Sequence, residues 1–215
     1  MMKCFNSRSK IMLGKGGNIM SSQQRFKQQL NFLAEIDSLK EIYRKTKLNT
    51  GDRFENDAEH SWELAMMAVV LQEYAEEELD LSRVIKMLLI HDLVEIDAGD
   101  TFVYDEEAVQ DQEEREQAAA ERIFGLLPSD QEQELRTLWY EFEEEQTAEA
   151  RFALALDRMQ PIIHNFYNQG GTWQEFSINR EQVEEKNKKI DFGSSQLWKF
   201  TQEILDTAQK QGYLD

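Results

Sequence analysis

Cysteine is all but missing: the only one in 215 residues is Cys4, so no intramolecular disulfide can form, and the expected compartment is a reducing cytoplasm. Proline is rarer still for the length, with two residues, and glycine contributes ten, so breakers are few and helix is favoured throughout. Uncharged apolar runs stay well short of the roughly 18 residues needed to span a bilayer. Positive charge is the scarcest commodity relative to its opposite, with 24 Lys and Arg against 42 Asp and Glu and a formal net charge of −18. Residues 1–24 hold Lys3, Arg8, Lys10 and Lys15 and no acid, which leaves 20 basic against 42 acidic residues over 25–215. Such a surface repels polyanions, so neither a nucleic-acid polymer nor an anionic membrane is an expected partner. A mass of 25.3 kDa fits one large domain with a core that needs no staples.

Residues 1–24 lack periodicity and lack the apolar stretch of a signal peptide, and are expected to be a tail without fixed structure. From Arg25 onward the pattern reads as helices. Phe26, Leu30, Leu33, Ile36, Leu39 and Tyr43 step by three or four, predicting a first amphipathic helix. Asn56 or Asp57 can cap a second, whose stripe is Leu64, Met67, Ala68, Leu71 and Ala75. A third, about 81–96, is apolar nearly all round and belongs in the centre of the core. A loop is expected over 97–104, an acidic helix over 105–124, and a helix opened by a Ser129–Glu132 capping box. The run 148–168 is helical with a kink expected at Pro161, and two more helices are expected near 179–192 and 195–210. No segment has strand periodicity. The expected architecture is a single all-α domain over 25–215.

Polar residues stand where that core should be. His60 lies four residues before Leu64, on the apolar stripe of its helix. The dipeptide His91-Asp92 follows directly on the most apolar segment, and Asp157 is embedded in Phe-Ala-Leu-Ala-Leu. Burying two imidazoles and two carboxylates without partners costs several kcal/mol each. A shared divalent cation would satisfy all four, and the donor set suits Mn, Fe, Co, Ni or Zn better than Ca. Core histidines satisfied by ordinary hydrogen bonds, and an Asp157–Arg158 ion pair, are the bland alternatives. Glu95 falls four residues after His91, on the same helical face, where a carboxylate can exchange protons with a reacting group. Asp100, in the Ala-Gly-Asp-Thr turn, is either such a base or a turn residue. Within the acidic chain, 40–53 is locally basic, and Arg44 and Arg53 are the candidates for a phosphate, whose oxygens match the guanidinium fork.

The order His…His-Asp…Asp on successive helices resembles the HD-domain metallophosphohydrolases. The longer strings RFENDAEHSWELA, KMLLIHDLVEIDAGDTF and EARFALALDRMQPIIHN resemble the branch containing the HD-domain 5′-deoxynucleotidases. That resemblance implies an all-helical HD domain with His60, His91, Asp92 and Asp157 as ligands of a divalent cation (Mn, Co, Mg, Fe, Ni or Zn). It ties Glu95 and Asp100 to catalysis or to additional metal, and implies a homodimer that removes phosphate from deoxyribonucleoside 5′-monophosphates. Members from enteric bacteria follow the upstream arginine with a tryptophan that helps exclude ribose. Here Arg44 is followed by Lys45, so weaker discrimination against ribonucleotides is expected. Two other readings stay open: a different HD chemistry on pyrophosphates or phosphodiesters, and a non-catalytic protein that binds metal and nucleotide. The Gly-Tyr-Pro signature of cyclic-dinucleotide hydrolysis is absent. So is the acidic pair of alarmone hydrolases, since Glu95 is followed by Ile96.

Overall fold

A computed structural model describes residues 21–105 and 110–215. Among them the chain is almost wholly helical, with one two-stranded sheet. The expected tail over 1–24 lies mostly outside the described residues, but its last three belong to the first helix, α1 (Ser22–Glu35). Ser21 caps that helix by accepting a hydrogen bond from the Gln24 N–H at 3.2 Å. The chain then tightens into a 3-10 segment, Ile36–Glu41, instead of continuing in α-helix to Tyr43.

The all-α class holds, and the small sheet corrects only the expectation that no segment forms a strand. Strand β1 (Tyr43–Lys47) pairs antiparallel with β2 (Phe54–Asn56), Tyr43 opposite Asn56 and Lys47 opposite Phe54. Its turn needs the left-handed backbone of Gly51, φ 73°. A five-residue strand built from Tyr, Arg, Lys, Thr and Lys has too few apolar positions to show alternation. Tertiary hydrogen bonds hold it in place: Thr172 donates to the Lys45 carbonyl at 2.9 Å, and Asn168 to those of Lys47 and Leu48 at 3.2 and 2.8 Å.

Helix α2 (Asp57–Leu71) opens with a capping box between Asn56 and Glu59, which makes Asn56 the cap. Helix α3 (Leu81–Ile90) buries Val84, Met87 and Leu88 completely. It stops earlier than the apolar pattern suggests. The next four residues, His91–Val94, form a buried 3-10 turn before the short α4 (Glu95–Ala98). The tighter winding changes which side each residue faces, and it does so at the His-Asp dipeptide. Helices α5 (Gln112–Phe124) and α6 (Ser129–Glu144) follow, and the expected capping box at Ser129 does not form. Pro128 takes the cap position and Ser129 is already inside the helix.

Helix α7 (Ala148–Tyr167) is the central post, packed against α2, α3 and α6. It runs through Pro161, whose ring supplies no N–H to the carbonyl of Asp157 one turn earlier. After it come α8 (Gly171–Glu175), which the periodicity did not indicate, then α9 (Arg180–Asn187), α10 (Ile190–Gly193) and α11 (Ser195–Gln211). The helix expected over 179–192 is thus two. Gly193 lets α10 lie directly on the α7 backbone, because a methyl group there would strike the Arg151 carbonyl. Among the described residues no helix is long and apolar enough to cross a membrane.

Candidate active site

Three elements deliver the four residues singled out as ligands. His60 comes from the first turns of α2, His91 and Asp92 from the 3-10 turn, and Asp157 from the middle of α7. The His60 Nε2 lies 3.0 Å from the Asp157 Oδ1 and 3.8 Å from the Asp92 Oδ2. The His91 Nε2 lies 3.1 Å from the Asp92 Oδ1 and 3.8 Å from the same Asp157 oxygen. The two imidazole centroids are 5.6 Å apart. His60 is fully buried and His91 nearly so.

Whether these groups fit a cation is decided at His91. Its Nδ1–H donates to the Leu88 carbonyl at 2.9 Å, so the neutral ring presents a lone pair at Nε2. That Nε2 is buried and makes no hydrogen bond, although carboxylate oxygens surround it. A lone pair facing two carboxylates is repulsive unless a positive charge stands between them. Burial works against the ionised form of Asp157, yet the adjoining imidazoles, first His60 with its hydrogen bond at 3.0 Å, outweigh it and hold the carboxyl well below its usual range. Two imidazole nitrogens with carboxylate oxygens converging on one point suit a divalent transition metal.

A second group of acids stands beside the first. Asp57, Glu95 and Asp100 can bring oxygens within 4.8 Å of one another. Asp57 is completely buried and Glu95 is 7% exposed. Burial, reinforced by the charge of Asp92, raises both: Asp57 to about 7, and Glu95 well above the usual carboxylate range. Asp100 is raised as well, mainly by burial. Asp57 was treated in the sequence only as a possible cap. The signal that could have found it is spacing, since it sits three residues before His60 on one helical face.

Arg44 reaches in from β1 to answer this negative charge. Its Nη1 lies 3.0 Å from the Asp92 Oδ2, 3.4 Å from the Asp57 Oδ1 and 3.9 Å from the Asp100 Oδ1. The structure does not bring Arg53 to the same place. Its guanidinium is spanned by Glu59, at 2.7 and 2.5 Å, on the exposed side of the hairpin.

His91, Asp92, Glu95, Asp100 and Asp157 form one wall of a cavity of about 310 Å³, the lower end of the size range for small-molecule sites. Phe102, Tyr104 and Trp173 supply an apolar wall, with the Phe102 and Tyr104 rings 5.2 Å apart. Lys45, Arg158 and Lys186 are the other cations on its lining. These cations share the lining with the acids Glu116, Glu143 and Glu145 as well as those of the site.

The profile of the HD domain matches residues 36–198, a span that contains every one of these site residues. The chain belongs to the HD-domain family. It is similar to the 5′-deoxynucleotidase HDDC2 of Homo sapiens, 32% identical over 135 residues, which span 62% of this chain and 65% of that protein. Its counterpart in Bos taurus is 30% identical over 68% of this chain and 73% of its own length. Among solved structures, a predicted metal-dependent phosphohydrolase from Magnetospirillum magnetotacticum is 50% identical and superposes with a TM-score of 0.86, over 91% of this chain and 99% of that one. A conserved hypothetical protein from Pyrococcus furiosus, 19% identical with a TM-score of 0.59, shares the fold of this HD domain.

Arg44 is the one guanidinium among these buried acids, which gives a stability prediction for the metal-free protein. Removing one partner of a buried charge network typically costs about 3–5 kcal/mol, so Arg44→Ala should lose roughly that much in urea unfolding. The carboxyls of Asp57, Glu95 and Asp100 already sit above their unfolded values, so the folded state holds more protons and stability falls as pH rises. For Asp57 that fall spans from near its ordinary 3.8 to about 7. The Arg44→Ala deficit should therefore be larger at pH 8 than at pH 5.5, and an equal deficit at both would contradict the assignment.

Proposed function

We propose that this HD-domain hydrolase is a metal-dependent phosphomonoesterase that converts nucleoside 5′-monophosphates to nucleoside and phosphate. The observation that carries the reading is the His91 Nε2, without a hydrogen bond and aimed at two carboxylates, on the wall of a cavity that Lys45 and Lys186 also line. The HDDC2 relatives are 5′-deoxynucleotidases, which favours a monophosphate over a polyphosphate or a diester. In this reading His60, His91, Asp92 and Asp157 would hold the divalent cation. Bound there, it supplies Lewis-acid stabilisation of the charge that builds on the phosphoryl oxygens.

The protein's own residues perform the rest. Arg44, whose Nη1 is held by Asp92 and Asp57, has its guanidinium on the cavity wall and would turn its Nη2 to the phosphate, and Lys45 and Arg158 add charge around the phosphate site. Glu95 lines the same wall, its carboxyl raised by burial and by Asp92, and is placed to give a proton to the 5′ oxygen as water displaces that oxygen from phosphorus. Asp100, one turn of chain further on, is the second candidate for that transfer. Phe102 and Tyr104 offer a flat apolar wall to the base. Arg53 has no part here, since Glu59 occupies its guanidinium. The reading includes a homodimer, supported by the exposed apolar Trp62, Met66 and Val70 along α2. It also includes a reducing cytoplasmic setting, in keeping with the single cysteine.

Two variants separate an enzyme from a metal-binding scaffold. Glu95→Ala should retain most of its bound metal and lose about 10²–10⁴-fold in kcat, the usual contribution of a general acid or base. His60→Ala should lose metal and phosphate release together. Metal content by elemental analysis and phosphate release from dAMP check both. A Glu95→Ala protein within threefold of the unaltered rate would transfer the role to Asp100, and no release from any nucleotide by unaltered protein would leave only a scaffold.

Lys45 lines the cavity where related enzymes carry a tryptophan, and a flexible, solvated ammonium makes no apolar wall against the 2′ carbon. Rates on dAMP and AMP at equal concentration should therefore differ by less than about a hundredfold, or ~2.7 kcal/mol. A larger preference would mean that another residue excludes ribose.

A further inference from the structure

Behind His60 lies a polar group with no place in the chemistry above. Glu55, the middle residue of β2, is completely buried, and its Oε2 makes no hydrogen bond. That oxygen is 3.6 Å from the His60 Nδ1, which is equally buried and equally without a hydrogen-bond partner. The other oxygen, Oε1, accepts from the Gln160 Nε2 at 2.8 Å. The same amide nitrogen is 3.0 Å from the Glu63 Oε2 and 3.2 Å from the His164 Nε2, and His164 and Glu63 are 2.9 Å apart. None of these four residues lines the cavity.

Glu55, Glu63 and His164 are close enough to suggest a second metal site. Gln160 argues against that. Its amide nitrogen stands amid the three acceptors, and an NH₂ group cannot ligate a cation and would turn its hydrogens toward one. Turning the amide over would set its oxygen against two carboxylates. With two hydrogens, the amide can serve Glu55 and Glu63, and the His164 Nε2–H then serves Glu63. The converging atoms are thus engaged without metal; of the atoms left buried without a partner, the Gln160 Oε1, the His164 Nδ1 and the Glu55 Oε2, the last faces His60.

We propose that Glu55 is a positioning residue for His60. Its carboxylate takes the Nδ1–H, so that Nε2, hydrogen-bonded to Asp157 in the metal-free protein, is the nitrogen left to give its lone pair to the cation, while Gln160, Glu63 and His164 keep Glu55 from turning away. A carboxylate behind a ligating histidine fixes the tautomer and makes the ring a stronger donor. The two histidines would then differ, His91 being oriented by a neutral carbonyl and His60 by a charge. The Arg44 Nε, 4.0 Å from the same Glu55 oxygen, is held on the near side by it as well. The proposal rests on the metal-centre reading.

The test is a titration of metal-stripped protein with Co(II), followed through its visible absorption, with Glu55→Gln as the main variant because it preserves volume. A glutamine there must offer its NH₂ either to Gln160, donor against donor, or to Nδ1, which forces the proton onto Nε2. Co(II) affinity should fall about 10–100-fold, as for other residues that support metal ligands, and the visible spectrum should change. The metal-free melting temperature should stay close to that of unaltered protein, which a merely structural role would not predict. Gln160→Met, which frees Glu55 to rotate, should weaken Co(II) binding in the same direction and stands in if Glu55→Gln does not fold. A folded variant that binds Co(II) within threefold of unaltered protein, with the same spectrum, would overturn the proposal while leaving the metal centre intact. Unaltered protein that takes up no Co(II) would overturn the metal centre, and this inference with it.

Discussion

The structure depends on neutralising negative charge in a place that water does not reach. Glu55, Asp57, Asp92 and Glu95 are all buried, with Asp157 and Asp100 close behind, and the positive groups nearest them among the described residues are Arg44, two imidazoles and, 3.9 Å from Asp157, Arg158. Such a cluster is stable only if protons or cations are taken up as the chain folds. The raised carboxyls of Asp57 and Glu95 are one answer to that demand, and Arg44 is another. A divalent ion at the His60–His91–Asp157 convergence is the third, and it meets the lone pair of His91 as well.

The fold serves this cluster through a few local devices. The capping box of Asn56 and Glu59 fixes the start of α2, and with it both Asp57 and His60. The change from α to 3-10 winding after Ile90 turns His91 and Asp92 toward α7. The hairpin carries Arg44 and Glu55 in from opposite strands, and Asn168 and Thr172 tie it to the end of α7. One site thus draws on three helical segments and a sheet of eight residues.

Most of the helical frame was legible because long apolar stripes are hard to mistake, and α2, α3, α7 and α11 lie where periodicity put them. The four residues expected as ligands stood out for the opposite reason, being polar residues on apolar stripes, and the structure brings them together. What escaped was short or decided by distant contacts. Strand β1 is held by side chains more than a hundred residues away, and nothing in Tyr-Arg-Lys-Thr-Lys announces it. Asp57 escaped because an acid at a helix start already has an ordinary explanation. Arg53 was misjudged on composition alone, since local positive charge does not reveal that a neighbouring glutamate has claimed it. Glu55 could not have been assigned from pattern, because Gln160, which holds it in place, is 105 residues away and a strand residue five before His60 carries no periodic signal.

The central claim is that a cation, and not a proton, completes the group around Asp157. Anomalous diffraction from crystals grown with Mn(II) or Co(II), measured across the metal's absorption edge, tests it most directly. The account predicts a peak at ligand distance from the Nε2 atoms of His60 and His91 and from carboxylate oxygens of Asp92 and Asp157. No peak there, or a peak among Glu55, Glu63 and His164 instead, would contradict it.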